Sequence, residues 1–321
     1  MRIVLILLTV MMCCTSCTAL PAEERAFAVV LCVEKQNGIW QLYGRIPAYK
    51  TSGEYMTVQG RGTTIKVALA DLDAHAPMKV TMSQLRLLVI SNDADAEEVF
   101  RKMADNPDVR MQCMTAVTEE PAEQIMEVLV PQTGSRLSKM LDLLIESRVE
   151  QGVIPDTRLA DAVLMGERQS PVMAHAELLD GRLDLSSAWA AGERLTTEEM
   201  VLLSMLTGQC KEVSLNLQEG TVQIYEVKST TTIREEGRAA WVSLCGKTKG
   251  SASAPDELER TLAESILTLL TRLSQSGCDA LGLGRKLICY AADMPQWHEW
   301  DWPGRYRNIR WEIGVGLTGP A

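Results

Sequence analysis

The sequence predicts two unlike parts, a mixed α/β domain followed by an α+β domain with an antiparallel meander, a long helix and a closing strand. Three observations carry this. Over the first half, apolar runs of strand length alternate with stretches whose apolar residues recur at helical spacing. Over the second half, three strand patterns follow one another with no helix between them, and one long helical pattern comes after. Between Gly152 and Pro171 a cluster of glycines, prolines and polar residues separates the two rhythms. With 321 residues, 46% of them hydrophobic and 23% charged, the chain can fill two cores and is too apolar for disorder.

In the first half, Ala26 to Glu34 and Ile39 to Ile46 are rich in Val, Ala, Leu, Trp and Tyr, and Gln36, Asn37 and Gly38 lie between them. That pattern is a strand, a turn and a strand. Thr63 offers an N-cap, and Ile65, Ala68, Leu69 and Leu72 fall on one face of a helix. Leu85 to Ile90 is apolar at successive positions, as in a strand buried on both sides, and Ala94 to Ala104 reads as a helix. Arg110 to Thr118 reads as a strand with Cys113, Thr115 and Val117 on one face. Ser135 to Gln151 is a helix with Leu137, Leu141, Leu144 and Ile145 inward and Gly152 as its stop. A short helical piece, Thr157 to Leu164, precedes a domain boundary placed near residue 170.

In the second half, Ala176 to Leu185 forms a hairpin around Asp180 and Gly181. Thr196 to Met205 is a helix with Glu198 and Glu199 in its first turn. Val213, Leu215 and Leu217, then Val222 and Ile224, then Ala240 to Cys245 give the three strands of a meander. Ser253, Pro255 and Asp256 open the long helix, whose Leu258, Leu262, Ile266, Leu269, Leu270 and Leu273 form one stripe, and Gly277 ends it. Ile309, Trp311, Ile313, Val315 and Leu317 alternate as a strand with one buried face.

The N-terminus is of another kind. After Met1 and Arg2 the run Ile3 to Met12 is apolar except for Thr9, and Cys13, Cys14, Thr15, Ser16 and Cys17 follow. The run is too short to span a bilayer and has the layout of an export signal. Ser16 before Cys17 is the small-residue-then-cysteine ending of a lipoprotein signal, so residues 1–16 are expected to be removed and Cys17 to carry the lipid. Cys14 stands where leucine is usual, which leaves Cys13 and Cys14 as alternative sites, beside an uncleaved anchor or a secretory signal cut near Ala19. Of nine cysteines, Cys32, Cys113, Cys210, Cys245, Cys278 and Cys289 lie beyond the signal, scattered singly. They read as small buried hydrophobes, not a disulfide framework. No CxxC pair lies outside the signal and only His75, His175 and His298 are present, so no metal and no cofactor is expected. The net charge of −10 argues against a nucleic-acid partner.

Several segments keep a recognisable order. Cys278, Asp279, Ala280, Leu281, Gly282, Leu283 and Gly284 follow the long helix, and Trp297, Trp300, Asp301, Trp302 and a final strand reaching Gly319 come next. Earlier, Cys17 is followed by Pro21, Glu23, Glu24 and Arg25, the first strand, the helix from Gly62 and Thr63, the strand Leu85 to Ser91, the segment Asn106 to Arg110 and the piece Ala122 to Met126. In this order the chain resembles the Ger(x)C family of spore germination lipoproteins over residues 17 to 319, with one Ger(x)C-like domain over 17–170 and another over 171–321. The resemblance implies a non-enzymatic lipoprotein on the outer leaflet of the spore inner membrane. It would act with integral-membrane subunits of a germinant receptor in response to nutrients. The alternative is an extracytoplasmic solute-binding lipoprotein, so direct small-molecule binding stays open; two similar lobes would favour it, whereas here the halves differ.

The remaining motifs weigh toward structure. Gly282, Leu283 and Gly284 lack the third glycine of a dinucleotide loop and follow a helix instead of a strand, and Asp279 is expected to cap or orient that turn. The three histidines have no hydrolase or metalloprotease context and read as solvated or locally hydrogen-bonded. Acidic pairs such as Glu97 with Glu98 read as helix starts. Trp297, Trp300 and Trp302 are too concentrated for a solvent loop. Either they fold back on the C-terminal domain, or one of them, foremost Trp300, stays partly exposed as a partner contact; a membrane contact is a third reading.

Overall fold

The computed structural model describes residues 24–48, 54–130, 136–164, 170–217, 220–249, 255–288 and 299–319. It has the mixed α/β first sheet and the antiparallel-rich second sheet with a long helix that the sequence pattern predicts.

The first sheet is built outward from a parallel centre. Strands β2 (Val30–Gln36), β6 (Leu87–Ser91), β7 (Met114–Thr118) and β8 (Met173–Leu179) run parallel side by side. Antiparallel strands extend both edges: β3 (Ile39–Pro47) and β4 (Tyr55–Gly62) beyond β2, β9 (Arg182–Ala190) and β10 (Glu193–Arg194) beyond β8. The order is β10-β9-β8-β7-β6-β2-β3-β4. The boundary read near residue 170 falls between β7 and β8, inside this sheet, and the change of sheet comes after β10.

Helices cover both faces, and this is why β2, β6 and β7 are apolar at successive positions. On one face α1 (Ile65–His75), α2 (Ala96–Ala104) and α5 (Leu159–Leu164) bury Ile65, Leu72, Val99, Phe100 and Leu159 against Leu31, Val33, Leu88, Ile90 and Val117. On the other, α3 (Ala122–Val128) and α4 (Leu137–Glu150) bury Ile125, Leu137, Leu141 and Ile145 against Val30, Cys32, Leu87, Val89 and Met114. The α1 cap is Thr64, one residue later than the sequence suggests; its hydroxyl accepts from Val67 N at 3.2 Å. Helix α1 lies so close to β4 that a methyl group on Gly60 would stand 2.2 Å from Ala68 O and 2.3 Å from Leu72 N. Only glycine admits that approach of two backbones.

Two strand readings change. The stretch read as one strand from Ala26 is two: β1 (Arg25–Phe27) leaves the main sheet and pairs in parallel with β5 (Lys79–Thr81). The strand read from Arg110 starts at Met114, because Cys113 N bonds back to Arg110 O at 3.1 Å and closes a turn.

The second sheet has the order β11-β12-β13-β14: β11 (Glu212–Leu217), β12 (Gly220–Arg234) and β13 (Ala239–Lys249) make the antiparallel meander, and β14 (Arg310–Thr318) adds in parallel to β13. The long helix α7 (Pro255–Gln275) lays Leu258, Leu262, Ile266, Leu269, Leu270 and Leu273 on this sheet. Helix α6 (Thr197–Thr207) begins in a capping box, with Thr196 and Glu199 each bonding the other's backbone N–H. The two sheets share contacts. Ala188 and Ala190 of β9 enter the C-terminal core, Ser170 N donates to Gly277 O at 3.2 Å, Arg272 pairs with Glu193 and Glu199, and Arg285 with Asp161.

Candidate functional site

The C-terminal corner gathers most of the residues that the sequence singles out. Helix α7 stops at Gly277, and Cys278 and Asp279 turn the chain into the short helix α8 (Leu283–Ile288). Asp279 is fully buried, with Oδ1 accepting from Leu283 N at 2.8 Å and Oδ2 from Gly284 N at 2.7 Å. It caps the turn, as expected from its position before the glycines. Burial raises its carboxyl pKa, while the two N–H bonds oppose that rise. Beside it, Tyr306 of α9 (Trp302–Arg307) donates its hydroxyl to Cys278 O at 3.0 Å. Trp311 of β14 donates its indole N–H to Ser274 Oγ at 3.2 Å.

The tryptophan segment divides. Trp302 is 2% exposed, with its ring 5.4 Å from that of Tyr306, which in turn meets Trp311 edge-on at 6.2 Å. It lies over Gly237, whose φ of +89° and missing side chain let the β12–β13 connection pass beneath the indole; a methyl there would stand 3.1 Å from the ring. Trp300 is half-buried. It lines a cleft of about 640 Å³ together with Arg234, Glu235, Lys286, Leu287 and Arg305. Trp297, His298 and Cys17 lie outside the described residues. The cleft's basic residues were not legible in the sequence, where positions 234, 286 and 305 form no run; only the joining of β12, α8 and α9 brings them together.

Elsewhere, polar groups serve the fold. Glu34 on β2 is buried; its carboxylate accepts from Tyr43 Oη at 3.2 Å and from Ala122 N, at the start of α3, at 3.3 Å. Burial, then the Glu34 charge, push the Tyr43 phenol up to about 12. Glu97 and Glu98 stand in the first turn of α2, and Glu198 and Glu199 in that of α6, as read. Cys32, Cys113, Cys210 and Cys278 are buried free thiols, and Cys245 is exposed on β13. Burial raises the Cys113 thiol to about 12, far from a reactive thiolate. Among the described residues no three His, Cys, Asp or Glu side chains converge as metal ligands.

His175 corrects the reading of the histidines. His75 bonds Asp71 O locally through Nδ1 at 2.8 Å, but His175 on β8 is 3% exposed and stacks on Trp189 at 5.5 Å. Among the described residues neither ring nitrogen has a hydrogen-bond partner; Glu119 stands 3.7 Å from Nε2. Burial first, then Arg194, lower its pKa below the ordinary 6.5, while Glu177, Glu119 and Glu120 pull it up. The unfolded chain therefore binds the proton first, and stability falls as pH drops from 6.5 toward the folded pKa. Urea midpoints taken at about pH 7 and about pH 5 are expected to fall more for the wild type than for His175→Leu. Equal falls would show that His175 does not couple to folding.

The two unlike sheets, each with its own helices, define a mixed α/β protein whose C-terminal corner spends its polar chemistry on holding a turn. Residues 19–177 match the spore germination protein N-terminal domain, so the first half of the chain is of the spore germination protein family. Among solved structures, the crystal structure of the GerBC protein superposes with a TM-score of 0.52 at 12% identity, covering 91% of this chain and 97% of that one, which shows the shared fold. No curated protein matches the sequence. Among the described residues no helix is long and apolar enough to cross a membrane.

Proposed function

We propose that this chain is a lipid-anchored, non-enzymatic subunit of a germinant receptor complex, held by Cys17 on the outer leaflet of the spore inner membrane and acting with integral-membrane subunits in the response to nutrients. The observation that carries the reading is the pairing of a family match over the first half with a GerBC-like fold over 91% of the chain. An apolar signal ending in Ser16 and Cys17 supplies the anchor. The two sheets differ in strand order and in the place of their helices, so the described residues do not form the two similar lobes of a transport-type binding protein. Of the two described tryptophans in this segment, Trp300, half-buried at the cleft, is the one suited to a partner contact.

Expression with labelled fatty acid tests the anchor. The wild type is expected to take up label and Cys17→Ala to lose it, with the unmodified chain released from the membrane fraction. Equal labelling of both would overturn the assignment to Cys17.

A further inference from the structure

We propose that the cleft between the β12–β13 connection and helices α8 and α9 takes the phosphate headgroup of an anionic lipid, giving the folded domain a second hold on the membrane. This rests on the reading of the chain as membrane-anchored. The chain as a whole carries −10, yet Arg234, Lys286 and Arg305 line this one cleft, and Glu235 is the only carboxylate among its described lining residues. That carboxylate is engaged by Arg310 at 2.7 Å and Arg234 by Glu312 at 3.2 Å, so the phosphate's first partner in the cleft is Lys286. Lys286 is exposed, with no ion-pair partner among the described residues. Its ammonium is therefore available to a phosphate.

The apolar part of the lining decides between lipid and acidic peptide. Trp300 stands half-buried at the cleft, with Leu287 and Ile233 beside it. An indole, apolar in body and polar at its N–H, favours the zone between headgroups and acyl chains. Basic residues around it add attraction for an anionic surface, about fivefold in partition for each. An acidic peptide would be served by the charges alone. The cleft, at about 640 Å³, is of the size that encloses a small organic group. Trp302, buried against the β12–β13 turn, keeps α9 against the sheet and so keeps Arg305 at the cleft.

The test uses the chain from Glu24 onward, which keeps every described element and lacks the anchor. Co-sedimentation with vesicles of phosphatidylglycerol and phosphatidylcholine is compared with pure phosphatidylcholine, at low salt and at about 0.5 M salt. Binding is expected to the anionic vesicles alone and to fall at high salt. Lys286→Glu should lower it about tenfold or more, with Lys286→Gln intermediate. Lys66→Glu, the same charge change on the exposed side of α1, should leave most of it. Equal binding to neutral vesicles, or equal losses for Lys286→Glu and Lys66→Glu, would overturn the proposal. So would a Lys286-dependent site that binds inorganic phosphate or soluble polyglutamate but no vesicle. Because the anchor is absent, this result and the fatty-acid labelling can fail independently.

Discussion

Replacing Trp302 with alanine is expected to destabilise the protein by about 3–5 kcal/mol, the range for deleting a large buried aromatic. Its indole is 2% exposed and touches Tyr306 on one side and the Gly237 turn on the other. Two of its neighbours cannot fill the space: Gly237 has no side chain, and Tyr306 is tied to Cys278 O through its hydroxyl. The cavity therefore stays open, and the cost sits toward the upper end of the range. Trp300→Ala is expected to cost distinctly less, since that ring is only half-buried. Urea unfolding of the two variants checks this. If Trp300→Ala proved the more damaging, the burial that ties the segment down would lie at Trp300 and not beneath Trp302.

Asp279→Ala is expected to cost about 2–6 kcal/mol, because two backbone N–H groups, those of Leu283 and Gly284, lose their acceptor inside the protein and each orphaned group costs about 1–3 kcal/mol. The alanine also frees the start of α8, on which Lys286 and Leu287 sit. Asp279→Asn separates acceptor from charge. Its single amide oxygen can serve one of the two N–H groups while its NH2 faces the other, so a smaller loss is expected. Denaturant midpoints at neutral pH are the readout. An alanine variant as stable as the wild type would mean that the turn holds through its glycines and packing without the carboxylate.

The Asp279 cap was legible because an aspartate between a helix stop and two glycines has few structural uses. The same holds for the helix start at Thr196 or Thr197, which the structure settles as a capping box of Thr196 and Glu199, and for the hairpin around Asp180 and Gly181, where both residues take positive φ. The stripe on α7 was legible from its spacing, and all six of its named residues are buried. What escaped was of two kinds. Strand β4 carries only Met56 and Val58 as an apolar alternation before Gly60 and Gly62, too short a pattern to announce it; its place is set by the close approach of α1. His175 lies between Ala174 and Ala176 in a short apolar stretch that does not reveal whether its ring faces Trp189 or water.

Local chemistry, then, is what the sequence by itself determined about this protein: an apolar run from Ile3 to Met12 followed by Cys13, Cys14 and Cys17, the periods of its strands and helices, their caps and stops, and the change of rhythm between its halves. Those features depend on neighbours within a few positions, and the chain carries them in full. Only the tertiary structure decided that β2 lies inside the sheet beside β6, that β8 to β10 continue that sheet, that β14 joins β13 in parallel, and that Arg234, Lys286, Trp300 and Arg305 meet at one cleft. Such pairings join residues tens of positions apart, and burial of both faces of a sheet, not any local preference, selects them.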